Sequence, residues 1–276
     1  MGKAVTSPPE WRRRGAQAAQ WLLVLERSKW PVQVVYALAA NGVEVPDGAF
    51  PDASGLTEGA WQVLGLDRAG GDAGPIADMF AMAPPGPELA SAALTGWACL
   101  ETGRDTDTAA AFCRRFAWEQ PEDVPGLLVV AAGDSLAPEP VVRAHAGPQD
   151  FSAPALGALF LARRFEVEGD FDDLEAAVEL HDLTVALGDD VWAPDYVEVG
   201  WAAAVLYRIT GEEAFLATAE RMADVACEAQ HPDGHWGSPS VTATAAAALA
   251  EMADVVESRQ GVDEPVIIEP SGEMGG

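Results

Sequence analysis

Hydrophobic and polar positions follow two contrasting helical patterns, which are clearest in the last third of the chain. Residues 197–209 carry strongly polar side chains only near their two ends, at Glu198 and Arg208. A helix that is apolar on all sides has to be covered on all sides. Residues 212–228 instead repeat apolar side chains at the 3.6-residue period, with charged side chains opposite. The two segments, joined at Gly211, predict a hairpin of an inner and an outer helix.

Weaker copies of this hairpin precede it. The apolar segments 88–101 and 154–167 end at glycines and lead into the more polar segments 106–118 and 171–187. The spacing of about 40 residues is typical of stacked helical pairs. Further helices are predicted at 11–27 (outer), 32–40 (inner), 57–66 and 241–256 (inner), and short strand signals stand at 127–131 and 266–268.

These elements predict one domain. Residues 10–258 are interpreted as a single α/α domain, residues 1–9 as a disordered lead, and residues 259–276 as a flexible tail. Residues 43–86 are rich in Gly, Pro and Asp, and residues 120–150 are rich in Pro. Each segment has room for one more hairpin.

The charge balance excludes several partners. With 44 acidic and 16 basic residues the net charge is −28, which repels nucleic acid and anionic membrane surfaces. No run approaches the roughly 20 apolar residues of a membrane span. Cys99, Cys113 and Cys227 lie within predicted helices and form no CxxC pair. They indicate small core residues in a reducing compartment, so we expect a cytoplasmic protein without a signal peptide.

A resemblance to known families rests on two short segments. Residues 230–237 (QHPDGHWG), followed by the Thr/Ala-rich 241–245, resemble the QW repeat of terpenoid cyclases and protein prenyltransferases. Residues 21–42 look like a decayed copy with Trp30 at the tryptophan position. The Thr-Gly-acidic pattern at 210–216 is similar to six-hairpin sugar enzymes, such as epimerases and unsaturated-glucuronyl hydrolases. Both resemblances imply an all-α protein with an α/α toroid, in which the QW glutamine caps helix ends and stacks on the tryptophan.

In such a toroid, the N-terminal ends of the inner helices surround one mouth of a central cavity. Asp195 and Glu198 stand three residues apart and can face the same side, so they are the candidate catalytic pair. The alternative is that Asp195 caps its helix and Glu198 binds a first-turn amide. The candidate ligand-binding residues are Asp78, Asp150, Trp192, Tyr196, His235 and Trp236, with Ser152 and Thr242 beside them. For the aromatic residues the alternative is packing at hairpin joints.

Two catalytic signatures of the similar families do not fit this sequence. Residues 170–173 spell DxDD, as in class II terpene cyclases, but alignment with 212–215 places them at the solvent-facing start of an outer helix. We therefore interpret the motif as a cap. His145, His181, His231 and His235 lack ligand spacing with any cysteine, so neither a metal nor a cofactor is predicted. His181 is interpreted as a half-buried packing residue on an outer helix.

Three functions remain open. The first is a terpenoid cyclase- or prenyltransferase-like toroid that binds an isoprenoid-type ligand. The second is a carbohydrate-active toroid (epimerase, lyase or hydrolase) that uses Asp195 and Glu198. The third is a non-catalytic helical-repeat binding protein. The toroid itself is either complete or open, and an open ring would expose apolar helices and favour a homo-oligomer.

Overall fold

The chain is almost entirely helical in the part that the computed structural model describes, which is residues 6–46, 55–81, 88–120, 128–132, 135–142 and 150–260. The predicted helical class is thereby confirmed. The helices are α1 (Pro8–Leu23), α2 (Val34–Ala40), α3 (Leu56–Arg68), α4 (Gly74–Ala81), α5 (Leu89–Glu101), α6 (Asp107–Trp118), α7 (Ser152–Glu168), α8 (Phe171–Ala186), α9 (Glu198–Thr210), α10 (Glu213–Ala229) and α11 (Pro239–Gln260).

One antiparallel strand pair interrupts the helices. Strand β1 (Leu128–Ala132) pairs with β2 (Ser135–Val142), and β1 overlaps the strand predicted at 127–131. The strand predicted at 266–268 and most of the predicted lead and tail lie outside the described residues. In the described part of 120–150, the additional helical hairpin that the sequence left room for is replaced by this strand pair.

Six helices contact one another in a cyclic order. α2 packs on α3, α3 on α5, α5 on α7, α7 on α9, α9 on α11, and α11 packs back on α2. We call these the inner helices. The other helices lie against them: α1 on α11, α4 on α3 and α5, α6 on α5, α8 on α7, and α10 on α9. Each inner helix thus has two inner neighbours, which leaves it few free sides.

Burial follows the two sequence patterns. Every residue from Glu198 to Tyr207 in α9 is buried, whereas α10 buries a single stripe that includes Phe215 and Met222. Trp201 and Leu206 are fully buried, as an inner helix requires. The alternation of apolar and two-faced helices therefore marks inner and outer positions correctly for this hairpin.

Glycines end two of the inner helices. Gly169 follows α7 with φ 73° and Gly211 follows α9 with φ 74°, both in the left-handed region that favours glycine. Each donates its N–H to a carbonyl four residues earlier, Phe165 and Tyr207 respectively, at 2.8 Å. This left-handed cap reverses the chain so that the next helix returns along the outside.

The pairing of the terminal helices differs from the sequence prediction. The sequence treats 11–27 and 32–40 as an outer–inner pair and 241–256 as a lone inner helix. In the structure the main partner of α1 is α11, and α1 touches α2 only slightly. α3 and α4 supply the helix pair that the Gly- and Pro-rich segment 43–86 concealed. The helix predicted at 57–66 is α3.

Packed aromatic rings fill the space between the inner helices. Tyr36, Trp61, Trp97 and Trp201 contact one another with ring centroids 5.3 to 6.0 Å apart. The guanidinium of Arg163 lies 4.7 Å from the centroid of Trp97. We call these five residues the central cluster. Its aromatic members are at most 4% exposed, so these rings pack against one another in the core of the described helices.

A buried carboxylate holds the central cluster together. Glu251 of α11 accepts hydrogen bonds from the hydroxyl of Tyr36 and from Nη2 of Arg163, each at 2.8 Å. Arg68, at the end of α3, lies 3.0 Å from the same carboxylate. Burial would raise the pKa of Glu251, but the two guanidinium groups outweigh it and hold the pKa below its usual value.

Candidate functional site

The N-terminal ends of the inner helices converge on a pocket of about 220 Å³. One lining residue from each inner helix or its cap shows the convergence: Gln33 before α2, Thr57 of α3, Ala90 of α5, Leu156 of α7, Glu198 of α9 and Ser240 of α11. Helix N-termini present unpaired N–H groups and a partial positive charge. The pocket therefore lies where the partial positive charges of several helix N-termini meet, around a mixture of apolar and polar side chains.

Glu198 is a titratable group at this pocket whose pKa lies well above its ordinary value. It is the first residue of α9, its side chain is 7% exposed, and one carboxylate oxygen accepts a hydrogen bond from Oγ of Ser152 at 3.2 Å. Burial raises the pKa of Glu198 to about 7, although the Ser152 hydroxyl acts in the opposite direction. Its own backbone N–H also hydrogen-bonds the carboxylate and lowers the pKa, so the first-turn amide contact that the sequence offered as an alternative for Glu198 is present. Near neutral pH the carboxyl is present in both protonation states, as acid/base chemistry requires.

Asp195 lines the same pocket at its exposed rim. The sequence left open whether this residue caps α9. The structure places Val197 at the N-cap, so the capping interpretation of Asp195 is wrong. The main-chain carbonyl of Asp195 accepts a weak hydrogen bond from Ser152 Oγ at 3.4 Å. The two predicted carboxylates are thus brought together at one pocket, one buried and one exposed.

Asp150 and Asp78 have other partners. Asp150 accepts hydrogen bonds from the backbone N–H groups of Ser152 (3.1 Å) and Ala153 (3.3 Å) at the start of α7. Asp78 pairs with Arg104 at 2.8 Å, beyond the C-terminal end of α5 and thus at the opposite end of that helix from the pocket. Neither residue is among those that line the pocket.

The aromatic residues that were predicted to bind a ligand pack against other groups of the protein. The ring of Trp192 lies under the guanidinium of Arg221, 3.8 Å from its centroid. Tyr196 meets Phe151 edge to face at 4.9 Å. Trp236 is 5% exposed and its indole N–H donates to a main-chain carbonyl of α10 at 2.7 Å. These contacts agree with the packing alternative.

The QW-like loop connects α10, α1 and α11. The side-chain amide of Gln230 donates to the carbonyls of Arg14 (3.0 Å) and Gly234 (3.1 Å). The backbone N–H of Trp236 donates to Oγ1 of Thr242 at 3.0 Å. The glutamine and the tryptophan therefore fasten the loop to its neighbouring helices.

The DxDD segment is partly as expected. Asp170 caps α8 by accepting from the backbone N–H of Asp172 at 3.1 Å. The expectation that the motif faces solvent is wrong for Asp173, which is fully buried and pairs with Arg164 and with Arg114 (3.3 Å). Arginines from α6 and α7 converge on it and anchor α8. The motif does not line the pocket, so it carries no proton-donor role there.

Sequence reasoning missed several residues that the fold brings together. Gln33, Thr57, Trp61 and Ser240 line the pocket but stand in segments with no distinguishing pattern. His231, Asp233 and His235 form a second group, because one ligand atom from each lies within 4.8 Å of the others. The i, i+2, i+4 spacing of this group is visible in the sequence, whereas spacing between histidine and cysteine, on which the metal prediction depended, does not reveal it.

The remaining predicted residues are core residues. His181 is 4% exposed and packs its ring edge on Phe215 at 5.1 Å, which confirms its packing role. Cys99, Cys113 and Cys227 are buried and form no disulfide bond, and burial raises the pKa of each thiol. A raised pKa leaves little reactive thiolate.

No family model matches this chain, and no curated protein is significantly similar to it. Among the described residues, no helix combines the length and the apolar character needed to cross a bilayer.

Proposed function

We propose that the inner helices form a closed α/α toroid whose N-terminal mouth binds a small hydroxyl-bearing ligand of the carbohydrate class. Glu198 acts there as general acid and general base. The observation that carries the proposal is a carboxyl group that is buried at a pocket and titrates with a pKa of about 7. The cyclic contact order of the inner helices supports the toroid.

Pocket size and lining favour a small polar ligand. The volume of about 220 Å³ is below the roughly 300–1,000 Å³ that is typical of drug-sized ligands. Thr57, Gln33 and Ser240 offer hydrogen-bonding groups, while Trp61 and Leu94 offer apolar walls. An isoprenoid chain needs a long apolar cavity, whereas this pocket is small and carries polar groups on its wall.

The chemistry follows from the surroundings of Glu198. In its protonated form the carboxyl donates a proton to a leaving or carbonyl oxygen of the ligand, and in its ionised form it accepts one. Ser152 holds the carboxyl through the 3.2 Å hydrogen bond. The converging helix N-termini stabilise negative charge that develops on a ligand oxygen. Asp195, exposed at the rim, contacts ligand hydroxyls.

The test uses conservative variants at the pocket. We expect neutral and acidic sugars to raise the melting temperature of the wild type and of Glu198→Gln, because the amide keeps the shape of the carboxyl. Turnover of activated glycosides or uronic acids should be lost in Glu198→Gln. Asp195→Asn should also lose turnover while stability changes by about 1 kcal/mol or less, since Asp195 caps no helix. Asp172→Asn, an exposed carboxylate at the start of α8 that does not line the pocket, is the matched control and keeps turnover.

An isoprenoid diphosphate that stabilises the protein while sugars do not would contradict this proposal. The buried aromatic rings packed between the inner helices also favour a second candidate, a non-catalytic helical-repeat protein. That candidate predicts neither turnover nor stabilisation by any small ligand, and unchanged behaviour of Glu198→Gln in both assays.

A further inference from the structure

We propose that His231, Asp233 and His235 form a site for one divalent transition metal ion such as Zn²⁺, which fastens the loop between α10 and α11 to α1. The site is separate from the pocket and does not rest on the proposed function. Two imidazole nitrogens and one carboxylate oxygen are a ligand set that suits Zn²⁺, Ni²⁺ and Cu²⁺. One ligand atom from each residue already lies within 4.8 Å of the other two.

The ligand atoms need only a small movement to bind a metal. Zinc bonds of about 2.0–2.2 Å place tetrahedral ligand atoms about 3.3 Å apart. Nδ1 of His231 and Oδ2 of Asp233 are already 3.3 Å apart. The imidazoles of His231 and His235 stack with centroids 4.6 Å apart. Because the two rings are nearly parallel (19°), the exposed His231 ring has to rotate out of this stack to turn its lone pair toward a metal that His235 and Asp233 also bind.

The second histidine has a nitrogen with no other role. Nδ1 of His235 is buried and has no hydrogen-bond partner among the described residues. A buried acceptor or donor without a partner costs roughly 1–3 kcal/mol, so a metal ion that binds it removes a penalty. Nδ1 of His231 accepts a long hydrogen bond from the backbone N–H of Asp233 at 3.2 Å, which the metal replaces.

Backbone hydrogen bonds fix the loop that carries the ligands. The N–H of His231 donates to the carbonyl of His235 (2.9 Å), and the N–H of Gly234 donates to the carbonyl of His231 (2.8 Å). Gly234 has φ 97°, and a Cβ there would lie 2.9 Å from the Gln17 side chain on α1. Because the backbone is fixed, metal binding does not have to order a flexible segment.

Contacts with α1 make the site a link between distant parts of the chain. The side chain of Gln17 donates to the carbonyl of Pro232 at 3.1 Å. The ring of His235 lies 4.8 Å from the ring of Trp21. A metal ion that holds His235 therefore also holds the surface on which Trp21 packs. Stabilisation by the ion follows from its binding to the folded state alone.

The acidic surface makes metal selectivity the decisive question. A net charge of −28 concentrates all divalent cations near the protein, including those bound loosely by carboxylates. Mg²⁺ prefers oxygen ligands, whereas imidazole prefers the transition metals. Binding of Zn²⁺ in a large excess of MgCl₂ therefore distinguishes a histidine site from diffuse carboxylate binding.

The experiment is calorimetric titration of the full chain with ZnCl₂ in excess MgCl₂, together with melting curves with and without EDTA. We expect one tight Zn²⁺ per chain and a melting temperature that Zn²⁺ raises and EDTA restores. His231→Gln and Asp233→Asn should each weaken the affinity about tenfold or more, since each removes a ligand. Asp172→Asn, an exposed carboxylate at the start of α8, is the matched control and binds as the wild type does.

Zn²⁺ affinity that is equal in the wild type, His231→Gln and Asp233→Asn would overturn the proposal. Loss of all Zn²⁺ binding in MgCl₂ would overturn it as well.

Discussion

At the residue scale, Glu198 combines two opposing effects. A carboxylate in the first turn of a helix is favoured by the partial positive charge of the N-terminus. Burial against α7 and the pocket wall removes the carboxyl from water, and this larger effect raises its pKa to about 7. The protein thus holds an acid at a position where ionisation would ordinarily be stabilised. Such conflicts are typical of functional sites.

The raised pKa predicts how stability depends on pH. A carboxyl with a pKa near 4.5 in the unfolded chain and about 7 in the folded protein binds more protons when folded. Its contribution is present below pH 4.5 and is lost as the pH rises toward 7. Glu198→Gln does not titrate, so its stability relative to wild type should increase over this range by about 3 kcal/mol, at 1.36 kcal/mol per pKa unit.

Urea denaturation of the wild type and Glu198→Gln at a series of pH values measures this difference. Ser152→Ala is a useful companion, because loss of its hydrogen bond should raise the pKa further and move the window to higher pH. Parallel pH profiles for the wild type and Glu198→Gln would show that the carboxyl is not buried.

The buried carboxylate of Glu251 predicts a large effect for a single substitution. Arg163→Met removes the buried guanidinium that bonds this carboxylate and leaves Arg68, which is 43% exposed, as its charged partner. Breaking one side of a buried ion pair costs about 3–5 kcal/mol.

Urea unfolding of Arg163→Met is the measurement. Arg12→Met is the matched control, because Arg12 pairs with Asp254 and Glu257 at half-exposed positions where ion pairs contribute about 1 kcal/mol or less. Equal losses for the two variants would show that Glu251 is solvated.

Residue pattern brought two pocket residues together. The i, i+3 spacing predicted that Asp195 and Glu198 face the same side, and both line one pocket. The burial of Asp173 was not predictable, because it depends on arginines contributed by α6 and α7. Gln33 and Ser240 are separated by most of the chain, and their meeting depends on the contact between α2 and α11.

At the scale of elements, close approach of α9 and α10 depends on a glycine. A Cβ added at Gly200 would lie 2.6 Å from Cβ of Met222 and 3.0 Å from the terminal methyl of Met252. Real Cβ atoms do not approach each other this closely, so α10 has to move. Gly200→Ala should destabilise the protein by about 1–3 kcal/mol, despite the higher helix propensity of alanine.

Thermal and urea unfolding of Gly200→Ala check this expectation. Gly157→Ala in α7 is the matched control, because its new Cβ would meet only the ends of leucine side chains, at 3.0 Å or more, and these can rotate away. A Gly200→Ala variant as stable as Gly157→Ala would mean that α9 and α10 are further apart than described.

Element types were predictable where periodicity was strong. The apolar and two-faced segments of α9 and α10 differ in how many sides are covered, and the sequence shows this directly. The pair α3 and α4 was predicted only in part because Gly, Pro and Asp interrupt the surrounding segment. The partner of α1 could not be deduced from order along the chain, because its contacts with α11 span more than 200 positions.

At the scale of the whole molecule, excess negative charge opposes compactness. The chain carries 44 acidic and 16 basic residues, so most carboxylates have no cation to pair with. Repulsion among exposed charges is screened by salt over a Debye length of about 8–10 Å at physiological ionic strength. We therefore expect the melting temperature to rise as NaCl increases from low to moderate concentration.

Scanning calorimetry across a series of NaCl concentrations tests this expectation. Exposed pairs such as Arg12 with Asp254 weaken with salt, which opposes the main effect. A melting temperature that falls steadily with NaCl would show that such pairs outweigh the general repulsion.

The antiparallel packing of α1 on α11 has a topological consequence. Arg12, near the beginning of α1, reaches Asp254 and Glu257, near the end of α11. A short peptide that links the end of α11 to the beginning of α1 would therefore join the two ends of the helical domain. Opening the chain at the exposed Gly188 would then give new termini, with the same helices in a different order along the sequence. Such a circular permutant would begin at the pocket-forming turn before α9 and retain every interhelical neighbour.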